Sequence, residues 1–159
     1  MNEFVAIMMG SKSDLEHAKK ISEILEKFGI EYCYRIASAH KTTEHLLKAV
    51  KELDSKHSNL IYIAVAGRSN ALCGVLDGNT QNPVITCPPY SEKFGGMDLL
   101  SSLRMPSGIS CTTMIESEGA ALAAVKILAL HNPELKKKVL EYQKKNAEQI
   151  MKDDEEIRK

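Results

Sequence analysis

Three short polar segments each follow an apolar, strand-like run, and together they contain the residues best suited to chemistry. The segments are GSKSD (10–14), SAHK (38–41) and AGRSN (66–70). Each begins with a small residue and continues with hydroxyl and charged side chains. If the strands before them are parallel, their carboxyl ends lie along one edge of a sheet, and we expect the segments to form one binding site.

The second segment places a histidine beside a lysine. His40 is the candidate for proton transfer, because imidazole both takes and gives a proton near neutral pH. Lys41 lies at the start of a predicted helix, where a cation is unfavourable unless an anion is bound. The pair therefore predicts proton transfer next to a bound anion such as phosphate. The remaining histidines, inside or at the ends of helices, are interpreted as solvated surface residues: His17, His45, His57 and His131.

The first segment favours an anion or a sugar. Ser11, Ser13 and the free amides of a helix start suit a phosphate, and Asp14 suits a ribose diol. A simpler interpretation stays open, in which Ser13 caps the helix together with Glu16, and Asp14 favours the helix dipole. The segment has neither the P-loop pattern nor GxGxxG, so neither a nucleoside triphosphate nor NAD is indicated.

The third segment follows the most apolar strand. Gly67 lets the backbone approach a ligand, and Arg68 supplies a fixed cation. A stretch marked by glycine and proline, CPPYSEKFGGMDLLS (87–101), is predicted to cover the site. The hydroxyl-rich SSLRMPSG (101–108) is either a rim of the site or a subunit contact.

Apolar runs alternate with amphipathic segments along most of the chain. The pattern predicts strands at 4–9, 30–36, 60–67, 83–89 and 110–115, and helices at 13–29, 42–53, 69–78, 97–105 and 117–130. Strands that alternate with helices predict a parallel sheet with right-handed crossovers. Five strands in a chain of this size favour the order 2-1-3-4-5, a three-layer α/β/α flavodoxin-like (Rossmann-like) fold. Its ligands bind where strands 1 and 3 diverge, at the polar segments.

The end of the chain is predicted to be a long helix that starts at Asn132 and Pro133 and runs to Lys159. Its apolar stripe is thin and its charge is dense, so we expect it to bury little on its own domain. It is either a frayed, charged end or, as we favour, a helix that docks on a neighbouring subunit. The predicted domains are a catalytic domain, 1–131, and this C-terminal helix, 132–159.

The composition is that of one soluble domain, with 159 residues, 43% hydrophobic and 26% charged. The 21 basic and 21 acidic residues balance, which argues against a nucleic-acid partner. The apolar runs are too short to cross a membrane, and the start of the chain lacks the basic region of a signal peptide. The 4 cysteines are scattered without a CxxC pair, which predicts reduced thiols, a cytoplasmic location and no zinc site.

Taken together, MGSKSD, SAHK, VAGRSNAL and SSLRMPSG resemble the motifs of the PurE family of purine biosynthesis, in matching order from about Phe4 to Leu130. One branch of that family, the mutase, moves a carboxylate from the exocyclic nitrogen of N5-carboxyaminoimidazole ribonucleotide to carbon 4. The class II branch, the carboxylase, joins carbon dioxide to 5-aminoimidazole ribonucleotide (AIR). Mutases carry arginine after the histidine and a Gly-Ala-Ala-His-like third motif. Lys41 and GRSN (67–70) resemble the carboxylase branch instead.

The resemblance implies a lyase that converts AIR and CO2 reversibly into 4-carboxy-5-aminoimidazole ribonucleotide (CAIR), without ATP, metal or organic cofactor, in a homo-octamer or a tetramer. It implies that His40 is the catalytic residue, that Asp14 binds the ribose, and that Ser38 and Lys41 bind the phosphate. The full set implied to bind substrate is Ser11, Ser13, Asp14, Ser38, Lys41, Arg68, Ser69, Asn70 and Ala71. Carbon 4 of AIR is an enamine carbon and already nucleophilic, so one proton-transfer group suffices.

Two alternatives stay open at this point. The first is the mutase, which belongs to the same family. The second is a non-catalytic flavodoxin-like nucleotide-binding module, such as a receiver domain. A receiver needs acidic residues at the ends of strands 1 and 3, where this chain has GSKSD and AGRSN, so this alternative is the weaker.

Overall fold

Five parallel strands form the central sheet of the computed structural model, which describes residues 3–158. The strands are β1 (Phe4–Met9), β2 (Glu31–Ile36), β3 (Leu60–Val65), β4 (Val84–Thr86) and β5 (Thr112–Thr113). Their order is β2-β1-β3-β4-β5, and every neighbouring pair is parallel. The predicted flavodoxin-like topology is therefore confirmed, and the chain reverses its direction across the sheet at β1.

Six helices connect or follow the strands in the described residues: α1 (Leu15–Phe28), α2 (Thr43–Lys56), α3 (Ala71–Asp77), α4 (Leu100–Leu103), α5 (Ser117–Leu128) and α6 (Pro133–Ile157). Short 3-10 turns occupy Lys12–Asp14, Glu92–Phe94 and Met97–Leu99. The predicted helix 97–105 is thus a 3-10 turn followed by one turn of α-helix. It ends before Pro106, because a proline disfavours helical backbone in the residue that precedes it.

The sheet separates two apolar cores, which gives the three layers. Successive side chains of a strand point to opposite faces. In β1, Val5, Ile7 and Met9 pack against α1, α5 and the start of α6, whereas Phe4, Ala6 and Met8 pack against α2 and α3. Both β1 and β3 are buried along their whole length, as expected for strands that are covered on both faces.

The last two strands are shorter than predicted. The predicted range 83–89 contains only three strand residues, Val84–Thr86, and β5 contains only Thr112–Thr113. The prolines Pro83, Pro88 and Pro89 have no backbone N–H to contribute to a ladder, so β4 cannot extend far in either direction. Because β5 pairs only with Ile85 and Thr86, its length is limited by that of β4.

The predicted capping of α1 by Ser13 and Glu16 is wrong. The N-cap of α1 is Asp14, and Glu16 instead pairs with Lys19 at 2.8 Å. A 3-10 turn, Lys12–Asp14, directly precedes α1, and the N-cap of this turn is Ser11. Gly29 ends α1 in the left-handed conformation with φ 72°, as a C-terminal glycine does.

The C-terminal helix α6 begins at the predicted cap, since the Asn132 side chain accepts the N–H of Leu135 at 3.0 Å. Its first turns pack on their own domain, where Leu135 and Val139 are the buried residues that α6 contributes, which agrees with the expectation that the helix buries little there. Both lie in the core, and Lys138 donates to the carbonyl of Phe28 at 2.8 Å. Farther along, Ile150 and Ile157 are 70% and 81% exposed. The predicted last residue, Lys159, lies outside the described residues, as do Met1 and Asn2.

Within residues 3–158 no helix has the length and apolarity that a membrane span requires. The longest helix, α6, is strongly charged, with runs of lysine and of acidic residues on the exposed surface.

Candidate active site

The polar segments after β1, β2 and β3 line a single cavity of about 460 Å³ at the carboxyl edge of the sheet. It lies at the predicted position, where the chain reverses across the sheet at β1. Most of the predicted site residues line it: Ser11, Ser13, Asp14, Ser38, His40, Lys41, Arg68 and Ser69. Asn70 and Ala71 do not line it.

The loop after β1 presents hydroxyls and a carboxylate in a fixed arrangement. The Asp14 carboxylate accepts the backbone N–H of Ser11 at 2.9 Å, and the hydroxyls of Ser11 and Ser13 are 2.6 Å apart. A Cβ on Gly10 would lie 3.3 Å from the Cβ of Ala66, so the first and third loops approach closely at this glycine. The loop therefore offers hydrogen-bonding groups for both an anion and a sugar hydroxyl.

The loop after β2 is closed by hydrogen bonds between Ser38 and Thr42. The N–H of Ser38 donates to the Thr42 hydroxyl at 2.9 Å, and the N–H of Thr42 donates to the Ser38 carbonyl at 2.9 Å. The N–H of Lys41 donates to the Ser38 hydroxyl at 3.3 Å. These bonds fix the tight turn that carries the exposed His40 and Lys41 at the edge of the cavity.

The loop after β3 contains a backbone conformation that is unusual for a side-chain-bearing residue. Arg68 has φ 59°, and no other non-glycine residue in the described range has a positive φ. Its N–H donates to Oδ2 of Asp98 at 2.7 Å, and its carbonyl accepts the hydroxyl of Ser101 at 2.7 Å. Both backbone groups of this residue are thus held by the segment that precedes and begins α4.

Asn70 supports the loop from behind instead of facing the cavity. It is 4% exposed, and its side-chain amide donates to the hydroxyls of Thr86 at 2.8 Å and Ser102 at 3.0 Å. Ala71 is the first residue of α3. Asn70 and Ala71 therefore follow the cavity residue Ser69 in sequence, but neither of them lines the cavity.

Besides Leu72 of α3, four cavity residues from outside the three polar segments were not singled out from the sequence: Pro89, Tyr90, Ser91 and Asp98. They belong to the segment 87–101, which was predicted to cover the site as a whole. Tyr90 is 73% exposed, and with Pro89 and Asp98 it also borders a second cavity, of about 620 Å³. The single signal in the sequence was the glycine and proline content of the segment, which identifies a loop but not its inward-facing side chains.

The cavity combines two cations with two carboxylates that are already engaged. Asp14 and Asp98 each accept a backbone N–H. Among residues 3–158, neither Lys41 nor Arg68 forms a salt bridge, so both can meet an anionic ligand. In the same range, no group of three His, Cys, Asp or Glu side chains has a metal-binding arrangement.

His17 is half-buried and bonded to other elements, contrary to the prediction of a solvated surface residue. Its Nε2 lies 3.2 Å from Sγ of Cys87 and 3.3 Å from the hydroxyl of Ser117, so α1, the end of β4 and α5 meet at its ring. A signal was present, because His17 precedes Ile21 by four residues and Ile24 by seven, on the same helix face. Burial raises the pKa of Cys87 to about 12, so its neighbour is a neutral thiol and not an activated nucleophile.

The thermal stability is expected to fall in acid partly because of His17. Burial, and secondarily the charge of Lys20, lower the pKa of His17 below the ordinary 6.5. The unfolded chain then binds a proton that the folded chain does not. The resulting stabilisation is complete above pH 6.5 and is lost as the pH falls through the lowered pKa. The fall in Tm between about pH 7 and about pH 5 should be smaller in His17→Gln than in the unmodified chain.

The matched control for this measurement is His45→Gln, because His45 is exposed on α2. This variant should lose as much Tm over the same pH range as the unmodified chain. Parallel curves for His17→Gln and the unmodified chain would show that another group causes the acid sensitivity.

Comparison with known proteins assigns the family. The model of the AIR carboxylase family matches residues 4–149. The chain belongs to the AIR carboxylase family. It is 51% identical over 152 residues to the phosphoribosylaminoimidazole carboxylase of Archaeoglobus fulgidus, covering 96% of this chain and 83% of that protein. It is 46% identical over 159 residues to the phosphoribosylaminoimidazole carboxylase of Treponema denticola, covering 100% of both chains.

The fold agrees with the family assignment. The crystal structure of Treponema denticola PurE superposes with a TM-score of 0.97 at 46% identity, covering 99% of this chain and 100% of that one. The resemblance to the PurE family is therefore confirmed over residues 4–149. The assignment makes the chain an enzyme of the carboxy-lyase class.

Proposed function

We propose that this AIR carboxylase family member joins CO2 to carbon 4 of AIR to give CAIR, and that His40 moves the proton. Carbon 4 attacks the carbon of CO2 and forms the new carbon–carbon bond, after which carbon 4 bears both a hydrogen and a carboxylate. His40 takes that hydrogen as a proton, and the electron pair of the broken carbon–hydrogen bond restores the aromatic ring. In reverse, the protonated imidazole returns the proton to carbon 4 before CO2 leaves.

The observation that carries the proposal is the convergence of His40 with hydroxyls and free cations in one cavity. Ser11, Ser13 and Lys41 border it from two loops, which supports phosphate binding at the helix starts. Asp14, from the first of these loops, is proposed to accept hydrogen bonds from the ribose. These groups bind and orient the ribonucleotide, while the imidazole does the chemistry. Asn70 and Ala71 are proposed to act indirectly, through the shape of the loop.

The carboxylase is favoured over the mutase for two reasons. Lys41 and GRSN (67–70) resemble the carboxylase branch. The relatives from Archaeoglobus fulgidus and Treponema denticola also carry the name carboxylase. The mutase stays the second candidate, because both reactions pass through the same carboxylated carbon 4.

A comparison of substrates tests the proposal. The purified chain is supplied with AIR and CO2, or with N5-carboxyaminoimidazole ribonucleotide, and formation of CAIR is followed in both cases. We expect turnover with AIR to rise with CO2 concentration and the N5-carboxylated substrate to react only as fast as it releases AIR. Direct conversion of that substrate without dependence on free CO2 would identify the mutase instead.

We further propose that the chain works as a homo-octamer or homo-tetramer in the cytoplasm. Exposed apolar side chains near the site, among them Met97 and Leu103 at 65% and 58% exposure, suit contact with a second copy. The exposed later part of α6 suits docking on a neighbouring subunit, and the 4 free thiols suit a reducing compartment. The mass of the purified chain in solution tests the assembly, and a monomer would contradict it.

A further inference from the structure

The segment around the start of α4 holds the loop after β3 through a set of long-range hydrogen bonds. Asp98 accepts the N–H of Arg68, and the Ser101 hydroxyl donates to the Arg68 carbonyl, both at 2.7 Å. The N–H of Asn70 donates to the hydroxyl of Ser101 at 3.1 Å. We refer to Asp98 and Ser101 as the clasp, because they bind both backbone groups of one residue.

The residue that the clasp holds is in a conformation that costs free energy. A side chain in the left-handed region costs about 1–2 kcal/mol, a cost that glycine does not incur. Arg68 nevertheless adopts φ 59° and lines the cavity. A strained backbone persists where the surroundings over-determine it, and such residues cluster at active sites. The strain indicates that the position of the arginine side chain has a use.

Asp98 is closely fitted to the exit of β3. A Cβ built on Gly67 would lie 3.3 Å from Oδ2 of Asp98 and 3.6 Å from the carbonyl oxygen of Pro89. The carboxylate therefore fits beside the backbone of this loop because residue 67 lacks a side chain. Asp98 is far from Arg68 in sequence, so this contact exists only in the folded chain.

We infer that Asp98 is a positioning residue of the carboxylation: it holds Arg68 in the left-handed conformation and so keeps the guanidinium in the cavity. The inference rests on the proposed function. A guanidinium in that place binds an oxyanion of the ribonucleotide, either its phosphate or the carboxylate formed at carbon 4, by charge-assisted hydrogen bonds. Asp98 acts on the substrate only through Arg68.

A double-mutant cycle between Asp98→Ala and Arg68→Gly tests the inference, with kcat/KM for AIR as the readout. Glycine adopts the left-handed conformation without strain and removes the guanidinium, so Asp98 has nothing left to position. Asp98→Ala is expected to lower kcat/KM about tenfold in the unmodified chain and less than about twofold in Arg68→Gly. Equal losses in the two backgrounds would overturn the inference, as would full activity of Asp98→Ala.

Two further variants separate positioning from a structural role. Asp98→Asn keeps an oxygen that accepts the N–H of Arg68, so it should retain most of the activity; loss as large as in Asp98→Ala would contradict the inference.

Asp77→Ala is the matched control, because Asp77 accepts the N–H of Ser110 at 2.8 Å over a similar sequence distance and lines another cavity. It should leave kcat/KM unchanged. If Asp98→Ala does not fold, Ser101→Ala enters the same cycle with the same expectation.

The KM values identify the oxyanion. If Arg68 binds the phosphate, Arg68→Gly and Asp98→Ala raise the KM of both AIR and CAIR; if it binds the new carboxylate, only the KM of CAIR in the reverse reaction rises. Unchanged KM values in both directions would overturn the binding role. An unmodified chain without carboxylase activity refutes the proposed function. An active chain with an additive cycle refutes only the positioning role of Asp98.

Discussion

His40→Asn is expected to lower kcat by about 100- to 10,000-fold, the range that a positioned general acid–base group contributes. Asparagine is close to histidine in reach and still forms hydrogen bonds, but it cannot take the proton from carbon 4 near neutral pH. The KM for AIR should change little, because the phosphate and the ribose are proposed to bind through Lys41 and the serine-rich loop. Steady-state kinetics of CAIR formation measure both constants.

His45→Asn is the matched control, since His45 is also exposed and lies five positions later, on α2. It should keep the turnover of the unmodified chain. A second readout is exchange of the carbon 4 proton of AIR with solvent deuterium, followed by NMR, which should slow in His40→Asn. A correctly folded His40→Asn enzyme with near-normal turnover would show that another group moves the proton.

The parts of the fold that were predictable from the sequence are those in which local pattern and tertiary burial agree. The run FVAIMM is apolar throughout and ends at Gly10, and β1 occupies these residues as predicted. The buried face of α1 follows from helical spacing, with Ala18, Ile21 and Leu25 in the core. The position of the cavity followed from topology, because a crevice opens at the carboxyl ends of parallel strands where the strand order reverses.

Features that depend on distant partners were not predictable. The length of β5 is set by its pairing with the short β4, which apolar composition does not report. Asp98 lies in a 3-10 turn at the start of a predicted helix, and its contact with Arg68 joins residues with a sequence separation of 30. His17 was assigned to the surface because it falls inside a helix. Its spacing to Ile21 and Ile24 was a signal, but its partners Cys87 and Ser117 come from other elements.

Asp54 illustrates the same limit at the opposite edge of the sheet, where a half-buried hydrogen-bond network was not predicted. Its carboxylate accepts the hydroxyl of Tyr62 at 2.8 Å, the hydroxyl of Thr80 at 2.9 Å and the side-chain amide of Asn82 at 2.9 Å. Burial, together with the bond to Asp54, raises the pKa of Tyr62, which therefore stays a neutral donor. The network joins α2, the start of β3 and the loop before β4.

Asp54→Ala is expected to lower the free energy of unfolding by about 3 kcal/mol, because it removes three hydrogen bonds to a charged, half-buried group. For a chain of this length that corresponds to a fall in Tm of about 6–12 °C, measured by thermal unfolding. The kcat should not change, since the network is at the edge of the sheet opposite to the cavity.

Glu52→Ala is the control for this prediction, because it removes another carboxylate from the same helix. The Glu52 carboxylate pairs with Lys56 at 2.7 Å and with Arg35 at 3.3 Å near the surface. Ion pairs in contact with water contribute little, so its Tm should fall much less than that of Asp54→Ala. Equal losses would mean that charge on α2, and not the hydrogen-bond network around Tyr62, stabilises this edge. Loss of activity in Asp54→Ala would mean that the two edges of the sheet are coupled.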